Sequence, residues 1–194
     1  MTKIIGITGG IGSGKSLVSR ALECMGYQVY NADKRSKWIL LNDQKVLEAI
    51  KSRWSERVLV NNQIIPSKIG AIVFKDEQEL KWLNSLLHPR VAHDFKQWIA
   101  NHQNEKLLFK EAAILFESGG AKELDFIINV NADESIRVGR VIQRDQTTAQ
   151  EVKLRMSKQM TDQERSALSD FNITNDGKEL VLPQLDAILE QLGD

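Results

Sequence analysis

The 194-residue sequence has one cysteine, three prolines and no excess of charge of either sign. A single cysteine cannot form an internal disulfide, so the fold must depend on a hydrophobic core. We interpret Cys24 as a small buried residue on the apolar side of the first helix, in a reducing compartment. The 26 lysines and arginines balance the 26 aspartates and glutamates, and no global field attracts nucleic acid or anionic lipid. This balance favours small molecules as binding partners.

Long apolar runs are also missing. No stretch approaches the ~20 apolar residues that a membrane-spanning helix requires. A strand-like run begins close to the first residue, and we therefore expect no signal peptide. The length suits one α/β domain with insertions. We expect a cytoplasmic protein that binds neither membranes nor nucleic acid and is a monomer or a weak homo-oligomer.

The sequence does contain a phosphate-binding signature. Residues 9–16 read Gly-Gly-Ile-Gly-Ser-Gly-Lys-Ser, which matches G-x-x-x-x-G-K-[S/T] between an apolar run and a helical pattern. Glycines let successive N–H groups point at an anion, and the helix N-terminus adds partial positive charge. Lys15 is expected to reach the β- and γ-phosphates, and the Ser16 hydroxyl to hold Mg²⁺. The pattern predicts a nucleoside triphosphate site rather than a glycine-rich turn that binds nothing.

Strand-like runs alternate with helical patterns in the rest of the chain. They lie near 3–8, 28–30, 106–111, 125–130 and 171–174. Together with the phosphate loop, they predict an α/β P-loop NTPase fold, in which helices flank a five-stranded parallel sheet as in nucleoside monophosphate kinases. We assign the nucleotide-binding core to 1–33, 104–136 and 167–194. The final helix is expected to bury Leu180, Leu185, Ile188, Leu189 and Leu192.

Residues 34–103 are rich in helical patterns and predict an inserted subdomain that binds the acceptor. A hairpin is expected to turn at Asn61-Asn62. Because the residue before a proline is disfavoured in α geometry, His88 in His88-Pro89-Arg90 predicts a break between two helices. His88 and Arg90 then either face a cleft or are a helix-end histidine and a solvated arginine.

Asp33 follows the second strand in Asn31-Ala32-Asp33. Because ligands sit at the carboxyl ends of parallel strands, its carboxylate is expected near the phosphate loop. Asp33 also suits the N-cap of a helix through Leu41, and the two roles are compatible.

A locally basic segment at 137–166 predicts a nucleotide lid. Arg137, Arg140 and Arg144 fall on one face of a helix that begins at Asp133, and that face is either solvated or opposite an anion. Two capping boxes, Thr148-x-x-Glu151 and Thr161-x-x-Glu164, open the short helices that follow.

With these residues in view, the chain resembles the dephospho-CoA kinase family from end to end. The resemblance rests on Ile-Thr-Gly-Gly-Ile-Gly-Ser-Gly-Lys-Ser (7–16), Asn-Ala-Asp (31–33), His-Pro-Arg (88–90), Leu-Phe-Glu (115–117), Arg140 with Arg144, Gln159, and Asn175 before Gly177. It implies Mg²⁺-dependent transfer of phosphate from ATP to the ribose 3′-hydroxyl of dephospho-CoA, the last step of coenzyme A synthesis.

The resemblance also implies roles for individual residues. Asp33 would be the catalytic base, assisted by Lys15 and Arg140, and Asn175 would meet the adenine. ATP would be bound by Gly10, Ile11, Gly12, Ser13, Gly14, Lys15, Ser16, Leu17, Arg140, Arg144 and Asn175. Dephospho-CoA would be bound by Asp33, His88, Arg90, Leu115 and Glu117.

Three positions depart from the family pattern. Ala113 stands where proline is usual, Leu17 replaces a commoner threonine, and Arg137 occupies a position often held by glutamine. None of these changes removes a group that the reaction requires.

Two other functions are compatible with a phosphate loop. One is another small-molecule or nucleotide kinase of the same fold, which the long insertion with His88-Pro89-Arg90 argues against. The other is a P-loop ATPase switch, for which we find neither Asp-x-x-Gly after a strand nor a Walker B aspartate after an apolar run.

Overall fold

Short runs of isoleucine, valine and phenylalanine form the central sheet of the computed structural model, which describes residues 2–61 and 63–193. Its strands are β1 (Lys3–Thr8), β2 (Gln28–Asn31), β5 (Leu107–Glu111), β6 (Phe126–Asn131) and β7 (Phe171–Thr174). They pair in parallel in the order β2-β5-β1-β6-β7. A separate hairpin pairs β3 (Leu59–Val60) with β4 (Gln63–Ile64). The prediction of a five-stranded parallel sheet is confirmed.

The centre of the sheet is covered on both faces, as parallel sheets require. Ile5 and Ile7 of β1 are fully buried, as are Phe109 of β5 and Ile128 of β6. At the carboxyl edge, Ile7 is level with Glu111 of β5, so the loop that follows β1 begins beside the end of β5.

Chain contacts divide the protein into two compact units, one of residues up to 31 with those from 99 onward, the other of 32–98. The helices of the first unit are α1 (Lys15–Cys24), α6 (Glu134–Asp145), α7 (Ala149–Met156), α8 (Asp162–Ala167) and α9 (Val181–Leu192), with a 3-10 turn at Gly120–Glu123. Leu185, Ile188, Leu189 and Leu192 of α9 are buried as predicted. Leu180 is 75% exposed, because it precedes the helix as its N-cap.

The second unit has its own core around Trp54 and Ile50. It consists of α2 (Ala32–Asn42), α3 (Gln44–Trp54), a 3-10 turn at Ser55–Arg57, the β3–β4 hairpin, α4 (Pro66–Val73) and α5 (Glu77–Ala100), which leads back to the first unit. The predicted hairpin is confirmed by the pairing of Leu59 with Ile64. The predicted turn residue Asn62 lies outside the described residues.

The predicted helix break at His88 is wrong. Helix α5 runs without interruption from Glu77 to Ala100 and contains Pro89 in its interior. Proline there removes the N–H that would bond to the carbonyl four residues earlier. Burial of Leu83, Leu87 and Phe95 on one side of the helix offsets this loss.

The predicted burial of Cys24 is also wrong, because this thiol is exposed. Helix α1 buries Val18 and Leu22. Cys24 lies two residues beyond Leu22, which at about 100° per residue places it on the opposite face.

Within the described part of the chain, no helix is both long enough and apolar enough to cross a bilayer.

Candidate active site

The loop between β1 and α1, residues 9–14, is shaped by two glycines that no other residue can replace without strain. Gly12 and Gly14 have φ angles of 79° and 101°. A Cβ atom on Gly14 would lie 2.0 Å from Nδ2 of Asn175, and one on Gly12 would lie 2.6 Å from the Arg137 carbonyl oxygen. The loop is therefore enclosed by the segments that follow β6 and β7.

Lys15 begins α1, and its ammonium group folds back over the loop. Its Nζ donates hydrogen bonds to the carbonyls of Gly9 at 2.7 Å and Gly10 at 3.3 Å. Ser16 and Leu17 follow on the first turn and are exposed. The Ser16 hydroxyl is thus accessible beside the charge of Lys15.

Two buried hydroxyl groups of this region have no hydrogen-bond partner within residues 2–61 and 63–193. They are Oγ1 of Thr8, where β1 ends, and Oγ of Ser13 in the loop. Buried polar atoms are normally paired, so these two hydroxyls are exceptions, and both lie at the loop.

Arg140 of α6 reaches the same loop. Its NH1 lies 3.5 Å from the Gly12 carbonyl and 3.4 Å from the Ser13 carbonyl. These distances are long for hydrogen bonds donated by a guanidinium. Arg140 is therefore held weakly and can move to a stronger acceptor such as a phosphate.

Arg144, one turn further along α6, contacts Asp145 through two hydrogen bonds of 2.7 and 3.1 Å. The hydrogen bond to this carboxylate raises the pKa of Arg144, and the Arg144 guanidinium lowers the pKa of Asp145. Both groups are charged at neutral pH.

Arg137 is the best buried of the three arginines. Its side chain is 5% exposed, and its NH2 donates to Asp162 of α8. Asp162 also accepts from NH1 of Arg165, which is 1% exposed, at 2.8 Å. Two guanidinium groups share one carboxylate, so this cluster leaves a buried positive charge next to Gly10, where a Cβ atom would meet the Arg137 guanidinium.

Asn175 links the end of β7 to the loop. Its Nδ2 donates to the Ser13 carbonyl at 2.7 Å, and its backbone N–H donates to the Asn131 carbonyl at 2.7 Å. Asn175 is buried, and its side-chain amide holds the loop while its backbone N–H holds the carboxyl edge of the sheet.

A buried carboxylate also lies at this edge. Glu111 ends β5 beside β1, and its Oε2 accepts from Nδ2 of Asn31 at 2.7 Å. Reading the sequence for a Walker B aspartate missed Glu111. The signal available was a glutamate shortly after the apolar run Leu107-Leu108-Phe109, from which Lys110 separates it.

Asp33 is the second residue of α2 and is exposed. Because the helix begins at Ala32, the expectation that Asp33 is its N-cap is wrong. A carboxylate in the first turn is favoured by the helix dipole. Asp33 follows Asn31, the last residue of β2, by two positions in the sequence.

His88 and Arg90 lie in α5 of the second unit. Burial lowers the pKa of the His88 imidazole, which favours its neutral form at pH 7. Arg90 donates through NH1 to the Leu86 carbonyl at 2.7 Å, and its Nε is 3.5 Å from Oδ1 of Asp43.

The turn after β5, residues 112–117, contains two predicted site residues, Leu115 and Glu117, which differ in exposure. Leu115 is fully buried, and its side chain packs against Gly6 of β1. Glu117 is exposed, and its Oε1 accepts from the Met160 backbone N–H at 3.0 Å.

The first unit thus brings together the loop, Lys15, Arg140 and Asn175, whereas Asp33, His88 and Arg90 belong to the second. Gln159 entered the prediction only through the family resemblance, and its Oε1 accepts from the Ile11 N–H. Asp162 was missed as a partner of Arg137, 25 positions away, because no local pattern indicates such a contact.

Residues 3–180 match a family model described as dephospho-CoA kinase. The chain belongs to the dephospho-CoA kinase family. The dephospho-CoA kinase of Bacteroides fragilis (strain YCH46) is 36% identical over 181 residues, covering 93% of this chain and 88% of the relative. That of Chlorobium chlorochromatii is 38% identical over 197 residues, covering 97% and 93%. The predicted family is therefore confirmed.

Solved structures agree with this membership. TT1252 from Thermus thermophilus superimposes with a TM-score of 0.87 at 31% identity, covering 100% of this chain and 99% of that one. Dephospho-CoA kinase from Campylobacter jejuni gives a TM-score of 0.71 at 25% identity, covering 99% and 98%. Shikimate kinase from Bacteroides thetaiotaomicron, at 10% identity and a TM-score of 0.55, covers 99% of each chain and shares the fold alone.

Membership in this family makes the protein a kinase with ATP as phosphoryl donor. The loop, the lysine and the arginine that the first unit brings together are the groups that such a donor site requires.

Proposed function

We propose that the protein transfers the γ-phosphoryl group of ATP to the ribose 3′-hydroxyl of dephospho-CoA, giving coenzyme A and ADP. The observation that carries this proposal is the phosphate loop folded around Lys15 in a chain of the dephospho-CoA kinase family. We assign the reaction to the cytoplasm, with small molecules as its only partners and the protein as a monomer or weak homo-oligomer.

The donor site is assigned to the first unit. The loop amides and Lys15 hold the β- and γ-phosphates, since N–H groups and an ammonium ion neutralise their charge. Arg140 exchanges its long contacts with the Gly12 and Ser13 carbonyls for the triphosphate, and Arg144 follows on the same helix face. Asn175 borders the adenine side of the loop that it already contacts.

A magnesium ion fits the oxygen donors at this edge. The Ser16 hydroxyl is exposed on the first turn of α1, and the Glu111 carboxylate ends the neighbouring strand. Such hard oxygen ligands, together with phosphate oxygens, are those that Mg²⁺ prefers. When bound, Mg²⁺ supplies charge neutralisation to the triphosphate. Among the described residues, no cluster of three or more His, Cys, Asp or Glu suggests a metal site made by the protein alone.

The acceptor is assigned to residues 34–103, with the turn 112–117 on the acceptor side. In this proposal dephospho-CoA is bound by His88 and Arg90 together with Leu115 and Glu117. A guanidinium such as that of Arg90 is well suited to the pyrophosphate of this substrate.

Asp33 is assigned as the general base. Its carboxylate accepts a hydrogen bond from the attacking hydroxyl and takes the proton as the new P–O bond forms. Residues 137–166 form the lid, which brings Arg140 to the migrating phosphoryl group and excludes water as a competing acceptor.

ADP release from Mg-ATP, measured with and without dephospho-CoA, tests the proposal. We expect release to depend on dephospho-CoA, and the product to gain one phosphate. Equal release without acceptor would indicate the ATPase switch. Release with a different hydroxyl acceptor alone would indicate another kinase of this fold.

A further inference from the structure

Gln159, in the segment between α7 and α8, contacts two separate parts of the site with one amide group. Its Oε1 accepts from the Ile11 N–H of the phosphate loop at 2.9 Å. Its Nε2 is 3.4 Å from the Ala113 carbonyl of the turn 112–117, a longer contact. An amide is required for both, because a carboxylate can only accept and an apolar side chain can do neither.

The backbone next to Gln159 is fixed on both sides. The Met160 N–H donates to Oε1 of Glu117 at 3.0 Å, and the Met160 carbonyl accepts from NH2 of Arg165. Arg165 is in turn bound to Asp162. The position of the Gln159 amide is therefore set by packed, hydrogen-bonded neighbours rather than by a mobile surface side chain.

These contacts join the two halves of the reaction. Ile11 belongs to the loop that holds the triphosphate, and Ala113 and Glu117 belong to the turn on the acceptor side. A shift of the Ile11 N–H on phosphate binding would move Oε1 of Gln159, which is hydrogen-bonded to it. Because Oε1 and Nε2 belong to one planar amide, Nε2 would move as well and change its distance to the Ala113 carbonyl. A movement of Gln159 would also reach Glu117, because the N–H of the next residue, Met160, donates to the Glu117 carboxylate.

We propose that Gln159 is a positioning residue that couples ATP binding to dephospho-CoA binding. Each substrate increases the affinity for the other, because both favour the arrangement in which the two Gln159 contacts are made. Such coupling is reciprocal by thermodynamic linkage. The proposal rests on the proposed function, which assigns the turn 112–117 to the acceptor.

Two substitutions separate the contacts. Gln159→Met keeps nearly the same length and removes both hydrogen bonds. Gln159→Glu keeps the acceptor for Ile11 and replaces the donor to Ala113 with a repelling oxygen. Gln191→Met is the matched control, because Nε2 of Gln191 donates to the Ala187 carbonyl of its own helix, remote in sequence from the loop and from the turn 112–117.

The measurement is the Kd of a non-hydrolysable ATP analogue with Mg²⁺, by calorimetry, with and without saturating dephospho-CoA. For the wild type and for Gln191→Met we expect the acceptor to tighten analogue binding by about fivefold or more. For both Gln159 variants we expect the ratio of the two Kd values to fall to about 1. Gln159→Glu retains the Ile11 contact but adds a negative charge beside the loop, so its two Kd values should both exceed those of the wild type, and their ratio is the quantity compared.

Three results would overturn the proposal: a wild-type ratio near 1, a wild-type ratio retained in Gln159→Met, or complete loss of analogue binding in both variants. The last would show that Gln159 shapes the loop itself. Failure of the proposed function is distinguishable, because the wild type would then release no ADP in response to dephospho-CoA.

Discussion

Asp33 is the residue on which the proposed chemistry depends most. It lies in the first turn of α2, exposed, and Asp33→Asn keeps its size while removing the base. We expect kcat to fall by about 10²–10⁴, the usual contribution of a general base. The Kd for Mg-ATP should stay at the wild-type value, since the loop and Lys15 lie in the other unit. The protein should remain folded, with a loss of stability no larger than that of a helix-dipole interaction in the first turn.

Rapid-quench measurement of phosphoryl transfer by Asp33→Asn checks this prediction. Turnover near the wild-type rate, with the protein folded and ATP bound, would rule out the assigned role of Asp33.

Cys24 supplies a test of a single position for which the sequence-based prediction was wrong. Its thiol is exposed at the end of α1. We expect one equivalent of thiol to react with a disulfide reagent in the native protein, at nearly the rate seen after unfolding, and Cys24→Ser to leave kcat unchanged. Protection of the thiol until the protein unfolds would contradict the exposed position.

Residue-scale predictions succeeded where local chemistry decides the outcome. The strand, glycine-rich loop and helix around Lys15 are encoded within one continuous stretch, from Lys3 to Cys24, and they form as predicted. Gln159 contacts Ile11, which lies 148 positions away in the sequence. Arg137 contacts Asp162, which lies 25 positions away. Sequence periodicity carries no information on such pairs, so they required the folded structure.

At the scale of elements, the two capping boxes are confirmed, and they define the starts of α7 and α8. In the second, Oε2 of Glu164 accepts from the Thr161 hydroxyl at 2.6 Å and from the Thr161 N–H at 3.0 Å. The hydroxyl contact, followed by the backbone contact, lowers the pKa of Glu164. The ionised Glu164 carboxylate therefore stabilises the folded state at pH values above its ordinary pKa of 4.5. This contribution is lost as the pH falls through the lower pKa of the folded state.

Thr161→Ala removes the hydroxyl contact, which lowers the pKa of Glu164 more than the backbone contact does. We expect the pKa of Glu164 to rise toward its ordinary value while that of Glu151 in the other box stays low. Carboxyl-carbon NMR titration of both residues measures this directly. The same pKa for Glu164 in the variant and the wild type would show that the hydroxyl contact is absent in solution.

Helix α5 carries a cost at Pro89, which lacks the N–H of an ordinary helical residue. Pro89→Ala should restore a helical hydrogen bond and raise the free energy of unfolding by up to about 3 kcal/mol. If proline orients the adjacent His88 and Arg90 toward the acceptor, kcat/KM for dephospho-CoA should fall at the same time.

Urea unfolding of Pro89→Ala, beside His93→Ala from the same helix, checks the stability change. The control should shift the unfolding free energy by only about 0.5 kcal/mol, the size of a propensity difference. A loss of stability in Pro89→Ala would mean that the helix is adapted to proline at this position.

The prediction of a break at His88 failed because a local preference was outweighed by packing of Leu83, Leu87 and Phe95 over a long helix. Leu180 shows the opposite case. It fits the apolar periodicity of α9, but the helix begins one residue later, and its side chain is left in solvent. Element type was thus predictable from pattern, whereas continuity and boundaries depended on tertiary contacts.

At the scale of the whole molecule, the proposed reaction assigns roles to residues of both compact units. The donor groups belong to the unit built on the parallel sheet, and the proposed base and acceptor residues belong to the unit of 32–98. The order of the five sheet strands along the chain was predictable, because the strand-like runs of the sheet stop after β2 and resume at β5. The specific acceptor was not predictable from periodicity or spacing and came from the family resemblance.

The central claim is that phosphate is transferred to one hydroxyl of dephospho-CoA. The most direct measurement is ³¹P–¹H correlation NMR of the product formed from Mg-ATP and dephospho-CoA. The account predicts a new phosphomonoester coupled to the ribose H3′ proton, in an amount equal to the ADP released. A phosphoester on another hydroxyl, or ADP accompanied only by inorganic phosphate, would contradict it.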